Sequence, residues 1–236
     1  MKKDLFSSST LKIIAMVCML IDHVAAGLVN NGFYDVTLLG MNSSEISHIM
    51  RSIGRIAFPI FLFLLIEGFN RTRDVKKYIL RLLIFAFISE IPFNMALRGS
   101  VFDISSQNVY FELFLILAML YCLKTFEDKF KGFSKILVRF IIIGAFALIS
   151  EVIKVDYGVY GIVAAAIMYT FSNSREARAL SIIPAFAFEM FMPAVFLASP
   201  LVYFYNGKRG INLKYVFYAF YPLHLILIGI IRMNLL

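Results

Sequence analysis

Residues 11–29 read LKIIAMVCMLIDHVAAGLV, a run of nineteen residues that is apolar almost throughout yet carries Asp22 and His23 side by side. About 20 apolar residues cross a bilayer, so the run is long enough to span one. Lys2 and Lys3 precede it and Val24-Ala25-Ala26 resembles a cleavage site, which raises the alternative of a signal peptide. A signal core is about 7–15 residues and does not carry an acid–imidazole pair, so the run reads as a retained first span. A strongly polar side chain at bilayer depth costs a few kcal/mol or more. Asp22 and His23 are therefore expected to face a bundle interior or a hydrated cavity.

The same contradiction recurs along the chain. Arg55 and Glu67 bracket a second apolar run, Arg81 and Glu90 lie in a third, and His224 lies in the last. Of 236 residues, 61% are hydrophobic and 16% charged, and the mean hydropathy is +0.82. Soluble domains hold roughly 45–50% apolar residues. No polar stretch is long enough for a separate soluble domain, so residues 1–236 read as one all-α transmembrane domain. The net charge of +8 is dispersed among loops, which suits membrane topology and not nucleic acid. Cys18 and Cys122 sit in apolar runs and read as small buried hydrophobes, with no metal ligand set around them. Phosphate-loop, nucleophile-elbow and dinucleotide fingerprints do not occur.

The hydrophobic pattern predicts helices over Leu11 to Val29, Ser52 to Phe69, Val75 to Leu97, Val109 to Leu123, Phe133 to Ile153, Tyr157 to Phe171 and Tyr215 to Ile231. Residues 178–205 form either one long tilted helix or two short ones meeting near Glu189 to Pro193. Short loops rich in Lys and Arg stay cytoplasmic. Two short helices give nine spans, put the N-terminus in the cytoplasm, and leave only Arg51, Arg98, Lys154 and Arg232 outside. A single helix gives eight spans and moves Lys208, Arg209 and Lys214 outward, so nine is the expected number. All six prolines lie in or between these runs, and Pro59, Pro92 and Pro222 fall within four residues of Arg55, Glu90 and His224. Proline frees a carbonyl one turn back, which a bilayer tolerates only where neighbours or a cavity re-satisfy it.

Imidazole is the side chain best suited to moving a proton near neutral pH, which makes His23 and His224 the leading pair. The bland reading of the pair is a structural hydrogen bond between helices. Adjacent helical residues point about 100° apart, so Asp22 is expected to pair with a base on another helix and not with His23. Glu90 and Asn94, spaced i, i+4, share a face on which a carboxylate could orient an imidazole, while Arg81 points elsewhere. Arg55 is placed to pair with Glu90 or Asp156, or to steady an oxyanion. Gln107-Asn108 and Asp156-Tyr157-Gly158 each open a helix, either as caps or as part of a site. Glu67, Arg71, Arg81 and the loop Asn206-Gly207-Lys208-Arg209 suit a phosphorylated ligand from the cytoplasm, or are plain topology signals.

These blocks, in order, resemble the TraX family of membrane proteins, named for N-terminal acetylation of conjugative pilin. The resemblance rests on Ile21-Asp22-His23, Gly54-Arg55-Ile56-Ala57-Phe58-Pro59 with Glu67-Gly68-Phe69, Ser89-Glu90-Ile91-Pro92-Phe93 and Gln107-Asn108-Val109. It continues through Asp156-Tyr157-Gly158, Tyr205-Asn206-Gly207-Lys208-Arg209-Gly210 and Tyr221-Pro222-Leu223-His224. It implies an integral cell-membrane acyltransferase that takes acetyl from cytoplasmic acetyl-CoA. The acceptor would be an amine or hydroxyl across the membrane, on a protein N-terminus or a surface glycan or polymer.

On that reading His23 is the general base, Glu90 or Asp156 orients it, Arg55 and Asn108 face developing negative charge, and His224 is a second acid/base or positioning group. Asp22, Asn94, Gln107, Tyr157 and Tyr221 would contact the acceptor. Glu67, Arg71, Arg81, Asn206, Lys208 and Arg209 would meet acetyl-CoA. A proton-coupled transporter and a non-catalytic assembly factor for a surface appendage are the rival classes.

Overall fold

The computed structural model describes residues 5–32, 40–127, 129–212 and 214–235. Lys2 and Lys3, part of the orientation argument, lie outside the described residues. Among those residues the chain is helical, with two isolated bridges, Phe6 with Tyr205 and Gln107 with Val155.

Helix α1 (Ser8–Gly27) starts where Ser7 accepts the Thr10 N–H, satisfying one of the donors every helix start leaves open. It ends in a 3-10 turn (Val29–Asn31), and the Asn31 amide donates to the carbonyls of Ala26 and Gly27. Helix α2 (Ser43–Gly54) opens on a reciprocal capping box between Asn42 and Glu45. The second run thus begins nine residues earlier than the hydrophobic pattern predicts. It is also broken at Arg55–Ile56 before α3 (Ala57–Arg71). Next come α4 (Val75–Arg98), capped by Asp74 and closed by Gly99 in the left-handed region, then α5 (Val109–Glu127), α6 (Gly132–Val152) and α7 (Gly158–Thr170).

Residues 175–203 are not one helix. Short helices α8 (Arg175–Leu180) and α9 (Ile182–Ala185) lead to two 3-10 turns, and α10 (Ala198–Tyr203) returns beside α8, where Ser199 Oγ donates to the Ala179 carbonyl at 2.8 Å. The tip of this hairpin reaches the start of α7. Phe188 stacks on Tyr160 with centroids 4.8 Å apart, and Phe186 meets Phe58 edge-on. The chain closes with α11 (Lys214–Leu235). Among the described residues, six helical runs are long and apolar enough to cross a membrane, counting α2 and α3 together, and α7 and the segment Pro193–Tyr203 are shorter.

The most extensive contact is α4 against α11. It depends on small residues. A Cβ on Gly229 would lie 2.6 Å from Met95 Cβ, and one on Gly27 would lie 2.6 Å from Ile228 and 2.8 Å from the Ala96 carbonyl. Such close approach is how membrane helices gain packing when lipid is as apolar as they are. It locks α1, α4 and α11 together, and so brings residues 23 and 224 to the same depth.

Helix ends sort onto two faces. Backbone bonds run from Ser8 to Lys208 (2.9 Å) and from Ser9 to Arg209 (3.0 Å), and Arg71 donates to the Gly207 carbonyl at 2.8 Å. This gathers the start of α1, the end of α3 and the 204–212 loop. Glu67 pairs with Arg178, adding α8. Lys12, Arg71, Arg178, Lys208 and Arg209 gather here, whereas Arg232 bonds the Ala96 carbonyl and Asn31 at the far end of α4.

Candidate active site: a histidine pair beside a small cavity

His23 on α1 and His224 on α11 touch. His23 Nδ1 lies 2.7 Å from His224 Nε2, and the rings are within 6° of parallel. Tyr221 packs edge-on against both rings, and Phe220 stacks on His224. The proline in α11 does what kinks in a bilayer require. Pro222 cannot donate to the Tyr218 carbonyl, and the Tyr110 hydroxyl bonds that carbonyl instead, at 3.4 Å.

His23 lines a cavity of about 100 Å3 together with Asp22, Asp156, Tyr157, Tyr110 and Tyr221. A second cavity of about 510 Å3 opens on the basic face, lined by Lys12, Arg71, Arg81 and Arg209 as well as Glu67, Ser8 and Tyr78. Phe61, Tyr110, Leu113 and Phe217 line both, so the two are separated only by an apolar, largely aromatic wall.

Asp22 turns away from its sequence neighbour and meets Arg51 of α2 at 3.4 Å, packed flat on Gly54, where no side chain would fit. Arg55, set at the break between α2 and α3, pairs with Glu189 at the hairpin tip (3.3 Å) and lies beside Tyr157. Of the expected partners, Glu90 is engaged by Asn108 and Asp156 interacts with the Arg55 charge, while the direct ion pair is made by a residue that only the doubling-back of 175–203 could deliver. Tyr157 stacks on Phe58 with centroids 3.7 Å apart, which fixes it in the cavity wall.

Several expected site residues lie off the small cavity. Glu90 takes a hydrogen bond from the Asn108 amide at 2.5 Å, and Asn108 also donates to the Ala86 carbonyl while accepting the Tyr110 N–H. The pair ties α4 to the start of α5 and does not reach the histidines. Asn94 is buried in α4, and Gln107 bonds the Lys154 carbonyl through its backbone. Neither Arg55 nor Asn108 is among the residues lining the cavity. On the basic face, Asn206 accepts the Lys208 N–H in a tight turn, and neither lines the larger cavity. Glu67 lines it but is engaged by Arg71 at 2.5 Å and Arg178 at 3.5 Å, so it anchors α3 to α8.

Three residues escaped the sequence reading. Lys12 projects into the larger cavity over the Phe217 ring at 4.9 Å. Glu112, fully buried in α5, accepts the Gly158 N–H at 3.1 Å, and Glu151 accepts the Val159 N–H at 3.0 Å. The two carboxylates sit at the positive end of α7. Gly158 (φ +54°) and Gly161 leave them room, since a Cβ at either would collide with a carboxylate oxygen. A single Glu inside an apolar run, four residues after Asn108, was the available signal.

The molecule is thus a helical membrane bundle with a titratable pocket enclosed among its spans. The chain belongs to the TraX family, whose model, described as TraX protein, matches residues 7–232. It is similar to the Probable fimbrial assembly protein FimC, serogroup H1, of Dichelobacter nodosus, with 27% identity over 258 residues, covering 98% of this chain and 97% of that one. No solved structure matches it.

Proposed function

We propose that this protein is a membrane-embedded acyltransferase that moves an acetyl group from acetyl-CoA to an amine or hydroxyl acceptor. One observation carries the reading: His23 lies with Asp22 and Asp156 in a small, mainly apolar cavity that shares a wall with a larger, cation-lined cavity on the basic face. The positive-inside rule makes that face, and the N-terminus, cytoplasmic. There the anionic body of acetyl-CoA meets Lys12, Arg71, Arg81 and Arg209. Arg81 Nε is buried without a hydrogen-bond partner, which suits an arriving phosphate. The acetyl end would pass between the residues of the shared wall, and the acceptor would enter from the Asp156 side.

In the reaction, His23 takes the proton of the acceptor N–H or O–H as the acceptor attacks the thioester carbonyl. The C–S bond breaks, the acceptor keeps the acetyl group, and the proton leaves on the thiol of CoA. Tyr157, held by its stack on Phe58, is the cavity-lining hydroxyl on the Arg55 side, placed to face the developing negative charge.

Labelled acetyl-CoA tests this directly. Protein reconstituted in nanodiscs should transfer label to an added acceptor, and His23→Ala should lower the rate by about 10²- to 10⁴-fold while inserting normally. Wild-type rates in His23→Ala would end the reading. Arg209→Ala should raise KM for acetyl-CoA by about tenfold and leave kcat unchanged, because it removes a charged contact made equally before and during the chemistry. The relative is named for fimbrial assembly, so a filament subunit is the first acceptor to try. The same name favours a second reading, a non-catalytic assembly factor. In that case substituting His23 and His224 together would leave filament formation intact.

A further inference from the structure

The protons of the histidine pair follow from its surroundings. A backbone carbonyl can only accept, and the Phe220 carbonyl lies 2.7 Å from His224 Nδ1, so Nδ1 carries the hydrogen. In a neutral imidazole the other nitrogen is then an acceptor. The 2.7 Å contact between His224 Nε2 and His23 Nδ1 must therefore be donated by His23. Both side chains are largely withdrawn from water, where a neutral pair avoids desolvating a charge. What remains on His23 is the Nε2 lone pair, on the ring edge away from His224 and on the residue of the pair that lines the small cavity.

We infer that His224 is a positioning residue: a fixed hydrogen-bond acceptor that holds His23 in its Nδ1–H form, so that the Nε2 lone pair faces the small cavity. Which ring nitrogen bears the proton is set by the bond the other one makes. Free histidine favours the opposite form, with hydrogen on Nε2, which would aim a donor at the reacting group and turn the basic nitrogen toward α11. The parallel rings and the edge of Tyr221 against both keep the pair from rotating out of register. When His23 takes a proton at Nε2, its Nδ1–H bond to His224 becomes charge-assisted and strengthens as the charge forms. His224 itself never changes protonation. The use of that lone pair as a base rests on the acyl-transfer reading, whereas the tautomer does not.

Two measurements decide it. Ring-nitrogen NMR of protein labelled in its three histidines, His23, His48 and His224, should show His23 as neutral Nδ1–H in the wild type. Its signal is assigned by its loss in His23→Gln. Glutamine at 224 places an amide oxygen where Nε2 stood, so His224→Gln should keep the His23 tautomer and hold transfer within about fivefold of wild type. His224→Phe offers no acceptor. It should move the proton of His23 to Nε2 and lower transfer by about 10²-fold or more.

A wild-type His23 with hydrogen on Nε2, or a His23 spectrum indifferent to His224→Phe, overturns the inference. So does a His224→Gln protein as slow as His224→Phe, which would make the proton on His224 itself essential. If the wild type transfers no acetyl group at all, the acyltransferase reading fails, and the NMR spectrum still decides the tautomer.

Discussion

Helices α3 and α6 are written in nearly the same alphabet and live in opposite surroundings. Both are long apolar runs of near-equal mean hydropathy. Yet α3 buries Phe58, Ile60, Leu62, Phe63, Leu64, Leu65, Ile66 and Phe69, while α6 buries only Ser150 and turns Phe133, Phe140, Ile141 and Leu148 outward. In a bilayer an apolar side chain is equally at home against lipid or protein, so hydropathy reports that a helix crosses and not what it touches. Polar residues make the distinction. The α2–α3 unit and α1 carry Arg51, Arg55, Glu67, Asp22 and His23, and those helices form the centre. Between Lys135 and Glu151, Arg139 is the one charged residue of α6, and it bonds Thr170 near the basic face.

The contrast can be broken by truncation. Phe63→Ala should destabilise the protein by on the order of 2 kcal/mol, because the cavity cost remains although the transfer part drops out when the reference state is lipid. Phe140→Ala should stay within about 0.5 kcal/mol. Reversible unfolding in mixed micelles measures both, and equal losses would mean that α6 is packed against something on its outer side. Adding bulk instead of removing it sharpens the same point. Gly229→Leu drives into Met95 and should cost about 1–3 kcal/mol, whereas Gly144→Leu on α6 meets nothing within 4 Å and should be silent.

The smallest effect lies at the helix starts. Asp74 caps α4, and the Lys77 N–H and side chain hold its carboxyl below the usual 3.8, whereas the start of α6 at Lys131 has no side-chain cap. A lowered folded-state value means the cap contributes above the unfolded value and is lost as pH falls through the lower folded one. An NMR titration should therefore move the Lys77 amide resonance only below about pH 4, with no counterpart at the first turn of α6.

The sequence announces most of the bundle. The ends of α1, α4, α5, α6 and α11 fall within a few residues of the apolar runs, because hydrocarbon thickness sets the length of a spanning helix, and the shorter α7 ends where its own apolar run ends. The amphipathic α2 was missed because Ser43–Ser47 reads as polar loop, although Asn42 and Glu45 carry the capping signal in plain view. His23 and His224 stood out individually as polar groups that must hide in one membrane, but that they touch is read only from the structure. Glu90 and Asn94 stood out equally and lie off the cavity, since periodicity places a residue on a face without saying which neighbour that face meets. The Arg55–Glu189 pair depends on a hairpin whose doubling-back no local pattern encodes, and Glu112 was masked by the apolar residues around it.

The bond from Tyr110 to the Tyr218 carbonyl has a mechanical consequence. Tyr110 belongs to the partition between the chambers, and the carbonyl it grips is released by the proline two residues ahead of His224. The partition residue Tyr110 and the His224 ring that bonds His23 are thus both tied to the bend of α11. Any change in the bend of α11 that shifts the partition therefore also shifts His224 against His23, so the wall and the histidine contact cannot be altered apart.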